Sequence, residues 1–249
     1  MAEVHILSTV DAGGLLVRLR ETGRNFDPSD LDTAPRGRHW RVDRYRRELA
    51  AEPAGDPVPG GPWSVASEVS ASYSFVDPSI IRSFYDSSEP LETRTLLLEV
   101  HFWGLRIYVG VRVSAVYDEI RGEGGARERV QGWCYETLEG HFEQGRICYE
   151  VSKKLDTGLV EFHIDAISRR ADPGNLLVAA GFLLFGRRKQ MEFVHTACDR
   201  MAQLMHARLD GKRRIPTPSQ AAEDHIVVGP DPDKETGPQR AARRLRDGT

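Results

Sequence analysis

Between Thr93 and Arg170, apolar and polar residues alternate along five runs: TRTLLLEVHFW, LRIYVGVRVSAVYDEI, ARERVQGWCYETL, GRICYEVSKK and GLVEFHIDAISRR. A side-chain period of two is the mark of strands with one buried face. The breaks between runs are short and hold turn residues: Gly104, GEGG, EGHFEQG and Asp156-Thr157-Gly158. The pattern therefore predicts an antiparallel meander of hairpins. In the last run Val160, Phe162, Ile164 and Ala166 share one face, and Glu161, His163, Asp165 and Ile167 the other. One face is apolar and the opposite one mostly polar.

Helical spacing brackets this meander. Pro62 follows two glycines and is expected to open a helix with Trp63, Ala66, Val69 and Tyr73 on one side. Asp77 before Pro78 reads as an N-cap for a short helix carrying Ile80, Ile81 and Phe84. After the meander, NLLVAAGFLLF is apolar all round and a basic Arg187-Arg188-Lys189 follows. A long helix then carries Met191, Val194, Cys198, Met201 and Met205 on a stripe widened by Ala197 and Leu204.

The first 60 residues are mixed: a short helix at 15–20, a polar loop, the arginine-rich WRVDRYRREL and a Pro/Gly-dense linker, PAGDPVPGG. Val42, Tyr45 and Leu49 fit a helix as well as a strand. Past Gly211 the chain is polar, Pro-rich and mixed in charge, which predicts disorder. The division expected is an N-terminal extension over 1–60, a ligand-binding domain over 61–210 and a disordered tail over 211–249. With WRVDRYRREL as a first strand, the fold class is α+β of the helix-grip type, a curved antiparallel sheet wrapped around a long C-terminal helix. In layout it resembles the START, polyketide-cyclase and birch-pollen-allergen superfamily.

Composition narrows the partners. Lys and Arg number 34 against 37 Asp and Glu, a net charge of -3, so no overall field points to nucleic acid. The three cysteines, Cys134, Cys148 and Cys198, show no CxxC spacing and fit a reducing compartment. An acidic, interrupted N-terminal run does not suit a signal peptide, so a cytoplasmic location is expected. The longest apolar run, 176–185, is ten residues, about half of the roughly 20 that span a bilayer. It suits a buried helix, or a lid making weak contact with a membrane surface.

QGWCYETLEGHFEQGRICYEV and VEFHIDAISRR carry Tyr135, Thr137, Leu138, Gly140, His141, Glu143 and Gly145, followed by Ser168 and Arg169. These runs resemble the signature of the family called domain of unknown function 1990, and a looser similarity extends from about Trp63 to Leu209. The sequence departs from that pattern at Glu139, Phe142 and Arg170. The resemblance implies a fold and no assigned activity.

The EGHFEQG segment sets His141 beside Glu139 and Glu143 at the end of the strand bearing Tyr135. An imidazole next to carboxylates suits proton transfer, and a phenol suits orienting a carbonyl. Tyr135, His141, Glu143 and Arg169 are therefore the candidate catalytic residues, with a purely structural loop as the alternative. His163 with Asp165 and Glu99 with His101 share strand faces at i, i+2, and a solvated outer face explains them as well as a proton-handling site. No metal and no cofactor is expected, since neither HExxH nor a phosphate loop occurs. Met191, Met201 and Met205, with Phe162 and Ile164, are the expected lining of an apolar ligand cavity, methionine being adaptable to irregular ligands. The functions expected are binding of a hydrophobic small molecule or acyl chain, or a cyclase or dehydratase acting on an apolar, polyketide-like intermediate of antibiotic biosynthesis, the second by analogy of fold.

Overall fold

The structure is a computed structural model that describes residues 3–5, 10–33, 40–102, 105–171, 176–212, 219–220 and 225–230. In chain order the elements are β1 (Glu3–His5), α1 (Ala12–Glu21), α2 (Asp30–Thr33), β2 (Arg41–Ala51), α3 (Pro62–Ala71), β3 (Ile81–Asp86), β4 (Thr95–Phe102), β5 (Leu105–Arg121), β6 (Glu128–Thr137), β7 (Glu143–Lys154), β8 (Leu159–Arg170), α4 (Leu176–Leu209), β9 (Ser219–Gln220) and β10 (Ile226–Gly229). The strands form one sheet in the order β2-β8-β7-β6-β5-β4-β3-β10-β9, with β1 paired to β5. Every pairing is antiparallel. The predicted meander is β4 to β8, and its register follows the hairpins.

Helices α3 and the second half of α4 cover one face. Val65, Ala66 and Val69 of α3 and Val194, Ala197, Met201 and Met205 of α4 join the inward residues of the sheet in the main core. The opposite face is covered over part of its length by α1, where Leu15 and Leu16 pack on Leu97, Tyr108 and Ile226. Leu97 alternates with Leu96 and Leu98, which face the main core, so one strand serves two cores through its pleat.

WRVDRYRREL forms β2. The strand period turns Tyr45 and Leu49 toward the core and leaves Val42 exposed, which helical spacing would have grouped together. Pairing with β8 on one side makes it an edge of the sheet, so the expected boundary near residue 60 divides strands of one sheet.

Where α3 ends, the backbone N–H groups of Tyr73 and Ser74 donate to the carbonyls of Ser70 and Val69. This Schellman arrangement needs a left-handed residue, ordinarily glycine. Here it is Tyr73, at φ 56°. Its ring enters an aromatic cluster with Phe75, Trp133 and Tyr149 at centroid distances of 5.2, 5.4 and 5.7 Å, while Phe162 meets Phe75 at 5.1 Å. A glycine would relieve the backbone and leave a hole in the core.

Three expectations are corrected. Asp77 and Pro78 start a turn and no helix: the Asp77 side chain accepts from the N–H of Ser79, its carbonyl accepts from those of Ile80 and Ile81, and the chain leaves at once as β3. Cys134 and Cys148 are direct partners on β6 and β7, 4.0 Å apart at Cα, and form a disulfide. Only Cys198 is a free thiol, so the cysteine argument for a reducing compartment fails; linear spacing does not disclose cross-strand register. Finally, Ile226–Gly229 lies in the stretch expected to be disordered, yet β10 pairs with β3 and buries Ile226 and Val228.

No helix among the described residues is long and apolar enough to cross a membrane. The backbone of 176–185 continues α4, but the side chains of the lid candidate lie outside the described residues.

Ending the chain after Gly211 removes β10 and the burial of two aliphatic side chains, each worth about 1.5–3 kcal/mol. The truncated protein is expected to melt about 6–24 °C lower, with its fold otherwise retained by circular dichroism.

Candidate functional site

The link between β6 and β7 must reverse the chain under cover, where each backbone donor needs a partner. Gly140 makes the bend at φ +87°, and Gly145 takes φ +149° in strand β7, where a Cβ would stand 2.0 Å from the Ile167 carbonyl oxygen. Thr137 supplies a side-chain bridge. Its hydroxyl donates to Asn25 Oδ1 at 2.6 Å and accepts from the Gly145 N–H at 2.9 Å. Asn25 Nδ2 in turn donates to the carbonyls of Glu143 at 2.8 Å and His141 at 3.3 Å. The backbone of 23–25 is stitched to the same turn through Gly23 O and Asn25 N.

This turn holds His141 with 9% of its surface exposed. Burial drives its imidazole down to about 4, against which a backbone hydrogen bond at Glu143 acts in the other direction. Nδ1 lies 3.0 Å from both the N–H and the carbonyl of Glu143. That carbonyl also accepts from Asn25. Burial keeps the ring neutral near pH 7.

His141 lines a cavity of about 180 Å³ that opens between this turn, the start of β3 and α4. Ile80, Leu98, Val100, Ile147, Phe193 and Val194 stand in the wall with Tyr135 and Glu143, and Asp43, His101, Gln144, Arg146 and Gln190 also line it. Glu143 accepts a hydrogen bond from Gln190 of α4. The Tyr135 hydroxyl lies 3.3 Å from that of Tyr149, and burial pushes its phenol up.

The structure thus brings Tyr135, His141 and Glu143 to one cavity. Arg169 does not join them: it donates to Gln144 and Asp30 and stacks on Trp40 at 4.5 Å, clamping the segment that carries Asn25. The expected lining is also corrected. Phe162, Ile164, Met201 and Met205 have no exposed surface and belong to the packed core, and Met191 accepts a contact from the Tyr45 hydroxyl at 3.0 Å outside the cavity wall. Aromatic rings from α3's end, β6 and β7 fill the space that the methionine stripe was expected to enclose.

The i, i+2 pairs are less solvated than an open face implies. Burial tends to raise the Glu99 carboxyl, yet hydrogen bonds from His101 at 2.5 Å and Tyr108 at 2.5 Å outweigh it and hold the group at about 2. His163 is buried and lies 3.4 Å from Glu150. Among the described residues, no group of His, Cys, Asp or Glu is arranged to hold a metal ion.

Asn25 is the site residue that sequence reasoning missed. It sits in a polar loop more than a hundred positions from its partners, and nothing in its neighbours marks it.

A family model described as domain of unknown function (DUF1990) matches residues 23–200. The chain belongs to the DUF1990 family. The match begins at Gly23, so the DUF1990 region includes Asn25 and β2 and starts well before the boundary expected near 60. No curated protein matches the sequence. Among solved structures, the crystal structure of Ara h 8.0201 is similar over 67% of this chain and 99% of its own, with 8% identity and a TM-score of 0.39. A likeness of that size transfers no property between the two.

Two outcomes follow for this DUF1990 protein. Thr137→Val removes the hydroxyl shared by Asn25 and Gly145 and is expected to lower stability by about 1–3 kcal/mol in urea denaturation. The pH response comes from His141. Unfolded, the ring titrates near 6.5, and folded at about 4, so the unfolded chain binds more protons between those values. The contribution is complete above pH 6.5 and is lost as pH falls toward 4. Urea midpoints measured from pH 7 to pH 5 should fall in the native protein and fall less in His141→Asn.

Proposed function

We propose that the protein binds a small, mainly apolar molecule in the cavity beside His141. The observation that carries this reading is a cavity of about 180 Å³ with a largely apolar wall. A void of about 150 Å³ lined by apolar side chains takes up benzene. The fitting occupant is a single ring or a short branched chain. A long acyl chain would leave most of its length outside, because Phe162, Met201 and Met205 close off the deeper core.

The reading as a cyclase or dehydratase has less support. Nδ1 of His141 is turned to the Glu143 backbone, and the Glu143 carboxylate is engaged by Gln190. These groups suit holding a ligand better than moving its protons.

Ala166 lies in the cavity wall opposite Ile147, and a larger side chain there fills the space. Ala166→Phe should weaken saturable binding of one-ring probes, followed by ligand-detected NMR, at least about tenfold for a blocked site, with circular dichroism unchanged. Equal binding by the variant removes the cavity as the site.

A further inference from the structure

We propose that the free edge of β2 is a docking site for an acidic extended segment of a partner protein, which joins the sheet as a further antiparallel strand beside residues 42–48. The proposal is independent of the cavity and starts from the direction of backbone hydrogen bonds. The Glu52 N–H donates to Gly158 on the β2 side of β8, and the Ala171 N–H donates to Phe142 on the β7 side. Backbone groups alternate in direction along an antiparallel strand, so Phe162, Ile164 and Ala166 bond to β2 and the residues between them to β7. The register then joins Asp43, Tyr45 and Arg47 to β8. Val42, Arg44, Arg46 and Glu48 aim their N–H and C=O groups outward from the edge, and all four residues are exposed. The bulge between Glu48 and Ala50 ends the run. The opposite edge of the sheet, β9, offers only two residues.

Charge decides the occupant. Tyr45 packs against the core, so alternation puts Arg44, Arg46 and Glu48 on the outer face of the sheet. Arg47, on the inner face, is paired with Asp199 of α4 at 3.2 Å. Arg44 and Arg46 act on the Asp165 carboxyl of β8 through space, and they make no hydrogen bond or ion pair among the described residues. A second copy of the chain fits this edge poorly. When two β2 edges pair antiparallel, each register that engages three or more of the free residues sets Arg44 or Arg46 directly opposite an arginine. Like charges so placed destabilise a sheet, and charged edges resist pairing with their own kind. A strand with Asp or Glu at alternate positions meets both arginines at once and engages the free backbone. Main-chain bonds then supply affinity, and the two guanidiniums supply the choice of sequence.

The test uses a peptide alternating glutamate and valine, long enough to span 42–48, and its counterpart alternating lysine and valine. A third probe is the glutamate peptide N-methylated at its glutamates, which removes the donors placed opposite Arg44 and Arg46. Binding to the full-length protein is measured at pH 7 and low salt, with proton–nitrogen NMR to locate it. The glutamate peptide is expected to bind at least about tenfold more tightly than either of the others and to weaken as salt is raised. It should slow amide exchange at Val42, Arg44, Arg46 and Glu48 more than at Asp43, Tyr45 and Arg47. In the double variant Arg44→Glu, Arg46→Glu the preference between the glutamate and lysine peptides should reverse, with circular dichroism unchanged. Equal binding of the methylated peptide leaves only general charge attraction and overturns the proposal. So does a native protein that ignores the glutamate peptide, a preference that does not reverse, or protection that falls elsewhere on the chain. Protection of the same four amides in concentrated protein without peptide makes a second copy the occupant and overturns it too.

Discussion

The pairing of the Thr137 hydroxyl with the Gly145 N–H and with Asn25 is the contact on which the arrangement of the candidate site depends. A sheet that wraps helices has to turn its strands at the covered end, and there the turn's amides lose water. Thr137 and Asn25 take its place. With the turn satisfied from two sides, the segment 138–142 holds one shape, and His141 is fixed with one nitrogen facing the backbone. The signature glycines serve the same end, because Gly145 admits the Ile167 carbonyl where a side chain would collide.

The interior divides into a filled part and an open part for a steric reason. Tyr73, Phe75, Trp133 and Tyr149 meet at centroid distances of 4.8 to 5.7 Å, and with Phe162 they occupy the space between α3 and the middle of β6 to β8. Toward the β6–β7 turn the wall changes to Ile80, Leu98, Val100 and Ile147. Aliphatic side chains of that size do not bridge the gap to α4, and the cavity is what remains.

The far end of the same strands is closed by charge. Lys153, fully buried, pairs with Glu52 at 2.8 Å and donates to the carbonyls of Pro53 and Asp56. Glu52 also accepts from the N–H of Val58 and Trp63. The Pro/Gly stretch that reads as a linker is thereby held against β7. Breaking such a pair from one side strands a buried charge, so the segment is part of the domain in energy as well as in contact.

The alternation of residues was enough to place β4 to β8, because burial on one side of a strand imposes a period of two whatever the partner. Pro62 with its preceding glycines was enough for α3, since both residues act locally. His141, Tyr135 and Glu143 were legible as neighbours because a short turn and two paired strands join them. Arg169, Asn25 and the cysteines were not. Their partners are chosen by the register of β6, β7 and β8 and by the path of residues 23–31 across the turn. The methionine stripe shows the same limit: periodicity fixed which side of α4 is buried, while the rings it meets there were decided by packing. Which of two apolar regions stays open depends on volumes that meet only when distant segments come together, and so the position of the cavity belonged to the tertiary structure alone.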